Sequence, residues 1–573
     1  MLEFDGFLRY NCQLTTSKPV KIHDIKLVTN YTKQASTYMM GINVRGGFSP
    51  NNVSWKWNKE RNQDGWWIGA VNAGLKVRLK GNNFRSPLVN AYYHFRRIHL
   101  PESWYNNNKG GVKLTKKSGA ITCTAFSGQR TLSTNKSLGF NFDLFVTPFK
   151  KIDTNNHWKH RYLHPGQGIT RKDLNVDYVL AQGANTVNIH HNREQNPTIN
   201  YPYFDISFPI LKKYVESAHK NNIKVKLYYT TRELTNNMPE FFAFHSLNGE
   251  IMCPGPGNNA KPLTNRGGPH PWLKQHLREN YIPAWKETLR GRYKGLLDLA
   301  VLTTPDLRLE NFYLEGLAYT IKGAKIDGLY IDDTGLGRKG FQRIRRVMDK
   351  LRPESQIDMH SWSHCTKYAG YTPSAYYYMQ NFPYYNKLWF GEGFTHDYAN
   401  RSPDFWLVEL SGIPFGLLGE MMYKGMPARG MIYGMTSRLG WMGNPKPIWK
   451  IMDEFGMKNS EMIGYWSKEF PIKISSSEVK ATVYTKNNKA LIAMSNWSKK
   501  AQSVTLNYDW KKLGIDPKTA YVTIMYKSIG GKIHHHGSPE NILPQNMLNI
   551  QSIDKPFELK PNQGVIFIIK KLN

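Results

Sequence analysis

Residues 326–333 read IDGLYIDD. An apolar run ending in two acids fits a parallel strand covered on both faces, with chemistry at its C-terminal end. Side chains alternate along a strand. Tyr330 and Asp332 therefore share one face, and Leu329, Ile331 and Asp333 share the other. Leu and Ile suit packing against surrounding helices, which sends Tyr330 and Asp332 into the mouth of a barrel. Asp333, one step later, either turns inward as the strand ends or caps the following Asp-Thr-Gly turn through backbone N–H groups.

Apolar strands and helical patterns alternate on both sides of this stretch. The strands are Asn185–His191 (NTVNIHH), Ile223–Thr230 (IKVKLYYT), a short Leu299–Leu302, Gln356–His360, Lys387–Phe390, Ile413–Leu417 and Ile432–Met435. The helices are Phe208–Asn221, Leu273–Leu289, Leu309–Ile321, Phe341–Leu351 and Pro447–Phe455. In the first of these, Leu211, Tyr214, Val215 and Ala218 recur at helical spacing. Alternating βα units predict a (β/α)8 barrel over 148–464, with IDGLYIDD as its fourth strand.

The flanks read as β. Residues 1–147 carry short strands at Ile42–Arg45, Trp66–Ala70, Gly74–Leu79, Ala120–Ala125 and Gly139–Val146, punctuated by Gly, Asn and Ser clusters, and predict a β-sandwich. Residues 465–573 carry strands at Val479–Tyr484, Ala490–Ser495, Ser503–Tyr508, Tyr521–Met525 and Gly564–Ile569, and predict a second β-sandwich. The fold class is multidomain α/β plus β. A length of 573 residues accommodates several cores.

The apolar content of 40% and aromatic content of 13% exclude a disordered chain. No apolar run is long enough for a transmembrane helix, so membrane insertion is not expected. The formal net charge is +34. The basic residues are scattered with no basic tail, which argues against a nucleic-acid partner and leaves an anionic substrate or a solvated basic surface. Four distant cysteines match no zinc spacing, and no metal or cofactor is called for. The opening MLEFDGFLRY contains no basic n-region or apolar h-region, so no signal peptide is read in it.

Active sites of (β/α)8 barrels lie at the C-terminal strand ends. There the sequence places His190 and His191, then Arg232, Asp332 and Asp333, His360 and Trp362, and Trp389 and Glu392, with Glu409 and Glu420 later. Carboxylates for acid, base or nucleophile work beside aromatic planes are the equipment of a glycosidase. Asp332 is the expected nucleophile or charge stabiliser. Glu392, between two glycines in LWFGEGF, is the expected acid/base. Glu420 and Glu409 lie in apolar surroundings, where burial would raise a carboxyl pKa as a general acid requires. Each is a lower-ranked candidate, and for each a buried structural carboxylate is the favoured reading. Arg232 can bind sugar hydroxyls, a carboxylate or a sulfate, or pair with Glu233 or Asp332. The histidines can bond substrate, and Trp362 and Trp389 can stack on sugar faces. His534–His536 reads as a loop run away from the site.

The segments NTVNIHH, VKLYYTTREL, DGLYIDDT, IDMHSW, LWFGEGF and PDFWLVELSGIPFGLLGEM resemble glycoside hydrolases related to families 123 and 129, a mostly Bacteroidetes-type group. SPLVNAYYHFR and LPESWYNNNKGGV resemble that group's N-terminal β domain. Family 123 is similar in placing an Asp-Glu pair at the fourth strand, with a substrate N-acetyl group as nucleophile; here the pair is Asp332-Asp333, one methylene shorter. Family 129 and its relatives use an Asp nucleophile at the fourth strand and a separate acid/base, and the spacing of Gly328, Tyr330 and Asp332 is similar. The resemblance implies an exo-acting, retaining hydrolase of terminal α-1,3-linked 3,6-anhydro-D-galactose or galactose-type residues. The charge points to sulfated, carrageenan-type oligosaccharides as substrate. A substrate-assisted N-acetylgalactosaminidase and a non-catalytic carbohydrate-binding barrel are the alternatives. The resemblance also implies a periplasmic or secreted location in a marine bacterium.

Overall fold

The structure is a computed structural model. It describes residues 2–571 apart from 86–87, 91–92, 166–173, 261–267, 290, 305, 334–335, 362–364, 368, 391–400, 422–425, 441–443, 529–546 and 550–554. Eight parallel strands form its central sheet: Tyr162–His164, Thr186–Ile189, Lys224–Tyr228, Gly328–Asp332, Gln356–Ser361, Lys387–Phe390, Leu418–Gly419 and Leu439–Gly440. Neighbours follow chain order from the first to the seventh, and the eighth pairs back onto the first, Leu439 opposite Leu163. Beyond the seventh strand, the Met421 N–H donates to the Thr436 carbonyl at 2.7 Å.

This is the expected eight-stranded βα architecture, with local differences. The first strand, Tyr162–His164, was not anticipated. Leu297–Leu302 is not a barrel strand. It is the middle of an antiparallel sheet between Glu233–Thr235 and Pro283–Thr288. The two differences cancel, so IDGLYIDD is still fourth. Ile413–Phe415 is a 3-10 turn and Ile432 ends the helix Pro427–Ile432, so the last two strands begin later than expected. The expected helix at 273–289 is a helix only at Pro271–His276 and then the strand that opens on Pro283, a place where a missing N–H is tolerated.

Parity along the fourth strand holds. Leu329 and Ile331 join the large core shared with the surrounding helices, while the Tyr330 ring meets inward-facing aromatic rings. The helix Phe208–Lys220 buries Leu211, Tyr214, Val215 and Ala218, as the spacing predicts. Each large apolar side chain buried this way contributes roughly 1.5–3 kcal/mol. Gly328 is fixed by close approach, since a Cβ there would stand 2.1 Å from the Gln356 carbonyl oxygen.

The N-terminal region is a sandwich. One sheet orders Phe7–Tyr10, Asn141–Thr147, Gly74–Lys80, Gly65–Gly69 and Tyr38–Gly41; the other orders Lys26–Tyr31, Ala120–Phe126, Gly111–Lys117 and Asn52–Lys56. Trp55, Trp66, Val77 and Val112 fill the space between them. The expected strand Ile42–Arg45 is instead a turn, with Ile42 at φ 42° and Asn43 at φ 68°. The C-terminal region is a six-stranded antiparallel sheet around Lys489–Asn496 and Gly564–Lys571, with its own core. No described helix is long and apolar enough to cross a membrane.

Candidate active site

The inward-facing residues form two storeys. The lower one is ionic. Asp358 pairs with Lys226 and accepts from Arg438 at 2.9 Å; Glu420 accepts from Arg438 and, at 3.0 Å, from Lys387. All five are buried. The Tyr162 ring lies beneath the cations, with Arg438 4.4 Å from its centroid. Burial pushes the Lys226 amine down to about 8, partly opposed by Asp358. Glu420 was expected in an apolar pocket. It is held between two cations instead, because Lys387, which opens the sixth strand, and Arg438, just ahead of the eighth, both reach it in the interior.

The upper storey, two residues beyond Tyr162, Lys226, Asp358 and Lys387 on their strands, faces the C-terminal mouth. It contains His164, Tyr228, Tyr330, Asp332, His360 and Trp389, with His190 beside Tyr228 at 4.4 Å between ring centroids. Asp332 and His360 are Cα partners on adjacent strands. Asp332 Oδ1 pairs with His360 Nδ1 at 2.8 Å. Asp332 Oδ2 accepts from the Tyr228 hydroxyl at 3.1 Å and faces an Arg232 terminal nitrogen at 3.1 Å. Burial works to raise this carboxyl's pKa. The Arg232 guanidinium and His360 outweigh it and hold the group well below the usual carboxylate range. Asp332 is therefore a stable anion with 7% of its surface exposed.

Asp333 leaves the strand at φ 43° and accepts from the Tyr378 hydroxyl at 3.0 Å. Arg232 forks onto Glu233, Nε to Oε2 at 2.6 Å and Nη2 to Oε1 at 2.8 Å. Trp285, from the antiparallel sheet, donates its indole N–H to Glu233 Oε1 at 2.9 Å and stacks on His191 at 4.5 Å. Burial lowers the His190 imidazole to about 3, so it is neutral at ordinary pH.

Five of the expected residues, Asp332, His190, His191, Arg232 and His360, gather at this mouth. Asp333 adjoins it. Trp389 also reaches it but is fully buried, packed by His164, His360 and Arg438, so its faces are not open to a sugar. Glu409 is buried as well, and its Oε1 accepts the Gly46 N–H of the N-terminal sandwich. A Cβ on Gly46 would stand 2.4 Å from Glu409 Cγ, so the side chain lies close against that backbone. Glu392 and Trp362 lie outside the described residues, as does the His534–His536 run. Reading the ends of strands missed Tyr228, Trp285 and His164, while Glu233, expected as a partner of Arg232, is that partner. Tyr228 carried a signal, since it shares strand parity with Lys226 and follows the same inward alternation.

A βα barrel whose mouth holds a fixed anionic carboxylate among histidine and aromatic rings is the apparatus of a carbohydrate-cleaving enzyme. Comparison with known families specifies it. Models of the glycoside hydrolase 123 TIM-barrel domain, third domain and C-terminal domain match residues 153–440, 1–148 and 444–531. The chain belongs to glycoside hydrolase family 123, and it is a glycoside hydrolase.

No curated protein matches. Similar solved structures include a family 36 alpha-galactosidase from Geobacillus stearothermophilus in complex with raffinose, at 9% identity and TM-score 0.46, covering 96% of this chain and 77% of that one. The alpha-galactosidase from Lactobacillus brevis is 9% identical at TM-score 0.45, over 98% and 77%. An alpha-amylase from Geobacillus thermoleovorans complexed with acarbose is 11% identical at TM-score 0.42, over 72% and 98%. Likeness at this level carries no argument about substrate.

Proposed function

We propose that this glycoside hydrolase is exo-acting and retaining, and that it removes terminal galactose-type or α-1,3-linked 3,6-anhydro-D-galactose residues from sulfated, carrageenan-type oligosaccharides. Asp332 is the nucleophile. The observation that carries this reading is the asymmetric hold on its carboxylate. Tyr228 donates to Oδ2 and the Arg232 guanidinium pairs with it, while among the described residues His360 alone engages Oδ1. A carboxylate offers about four lone-pair sites. One on Oδ1 thus serves the anomeric carbon.

In the first step Oδ1 attacks that carbon, and the glycosidic oxygen leaves with a proton from the acid/base, assigned to Glu392. In the second step water, deprotonated by the same group, releases the sugar and restores Asp332. His190 and His191 bond the sugar. The net charge of +34 supports an anionic substrate, whose local concentration it raises. The test is release of terminal sugar from carrageenan oligosaccharides, with the anomer of the first product followed by NMR. The wild type should release the same anomer it cleaves, with KM rising with salt, and Asp332→Ala should abolish release. Comparable release by Asp332→Ala would overturn the assignment.

A second reading is favoured by the family 123 match and by the adjacent Asp332-Asp333 pair. It is an N-acetylgalactosaminidase in which the substrate's 2-acetamido group is the nucleophile and Asp332 steadies it. Inhibition by a galactose-configured thiazoline selects this reading, and indifference to it dismisses it.

A further inference from the structure

We infer that Glu233 is a positioning residue that aims Arg232 so that one oxygen of Asp332 is left for chemistry. The geometry is a chain of three links. The Trp285 indole N–H donates to Glu233 Oε1 at 2.9 Å. Glu233 takes Arg232 Nε and Nη2 at 2.6 and 2.8 Å. That leaves Nη1 toward Asp332 Oδ2 at 3.1 Å, while Nη2 also donates to the Tyr228 hydroxyl at 2.9 Å.

A guanidinium beside a single carboxylate prefers a two-pronged grip on both oxygens. Here two carboxylates compete for it, and Glu233 wins the fork. Glu233 is completely buried and begins the strand Glu233–Thr235, whose pairing with Leu297–Leu302 fixes its backbone. Trp285 comes from the other side of that same sheet and lies against His191. The antiparallel insert therefore sets the catalytic anion's geometry without touching it. With Glu233 neutralised, Arg232 is released to close on both oxygens of Asp332. That adds a donor to Oδ1 and weakens it.

This inference rests on Asp332 being the acting carboxylate, in either substrate reading. The test measures kcat and KM on whichever probe the wild type turns over, carrageenan oligosaccharides or an aryl 2-acetamido-galactoside. Glu233→Gln should lower kcat on the order of 10²-fold, the scale of a misaimed catalytic group, and leave KM unchanged. In an Arg232→Met background the same change should add less than about twofold, because Glu233 acts only through Arg232. Losses that multiply in the double variant, or a change confined to KM, overturn the inference.

Trp285→Phe keeps a ring against His191 and removes only the N–H. It should lower kcat in the same direction by less, and it decides the matter if Glu233→Gln does not fold; an unchanged kcat then counts against the chain. An active Asp332→Asn would defeat the reading of Asp332 itself. An inactive Asp332→Asn beside a wild-type Glu233→Gln would defeat the positioning role alone.

Discussion

His360 Nδ1 lies 2.8 Å from Asp332 Oδ1 across neighbouring barrel strands, in the same cross-strand register. It is the one described donor on the oxygen assigned to attack, so it sets that oxygen's direction and basicity together. His360→Phe keeps a ring in the upper storey and deletes the bond. A hydrogen bond to a charged group is worth roughly 1.5–3 kcal/mol. Steady-state kinetics on His360→Phe should show kcat/KM down by about 10- to 150-fold on that basis, with near-UV circular dichroism unchanged.

The depressed pKa of Asp332 has consequences for both activity and stability. Arg232 and His360 hold the group ionised down to strongly acidic pH, against the opposing effect of burial. The acid limb of kcat/KM must then come from another group, and Asp332 contributes none of it between about pH 4 and 8. The stability contribution of a carboxyl with a lowered folded pKa is present above its unfolded value and lost as pH falls through the folded one. Asp332→Asn should therefore flatten the loss of Tm below about pH 4, read by scanning calorimetry from pH 7 downward. An acid limb that moves in Asp332→Glu would contradict this.

Asp298 behaves in the opposite way. It sits in the middle strand of the antiparallel insert, fully buried, accepting from Thr235 and from the Ile199 N–H at 3.0 Å. Burial pushes its carboxyl up to about 7, against the pull of those donors. The folded state then holds this proton more tightly than the unfolded chain does. The stabilisation from protonation is full below the unfolded value of 3.8 and is lost as pH rises to about 7. Asp298→Asn keeps an acceptor for the Ile199 N–H and removes the charge. Its Tm should exceed the wild type's at pH 8, with the gap closing toward pH 4.

The order of the barrel was legible because parallel strands covered on both faces announce themselves as apolar runs. IDGLYIDD, KLWF and the strand beginning QIDMH all fell where they were read. What failed was telling such a run from an equally apolar antiparallel one. LDLAVL looks like a barrel strand, yet it pairs on one side with its hairpin neighbour Pro283–Thr288 and on the other with Glu233–Thr235, a contact set by residues far back along the chain. Tyr162–His164 failed for the converse reason, since three residues ending in a histidine give no period to detect. At the site, position along a strand found Asp332, His360 and Arg232. Glu233, the next residue after Arg232, was legible as its partner, but Tyr228 and Trp285 are known only once separate strands are brought together.

Glu420 separates burial from catalysis. Its apolar neighbours announce a buried carboxylate, and it is buried, but between Lys387 and Arg438. With Lys226 and Asp358 the lower storey holds three cations against two anions. Glu420→Gln leaves three cations on one anion in a dry interior, where removing one partner of an ion pair costs about 3–5 kcal/mol. The expected outcome is a large fall in Tm and in soluble yield, while molecules that remain folded keep kcat/KM within about tenfold of wild type. Adding Lys387→Met should recover much of the lost Tm, since an apolar replacement no longer needs the missing charge. A Glu420→Gln protein with wild-type Tm and no activity would reverse the argument and return Glu420 to the chemistry. Thermal unfolding beside kinetics on the same preparations distinguishes the two, because an ionic floor under the site and an acid within it lose different things when the charge is removed.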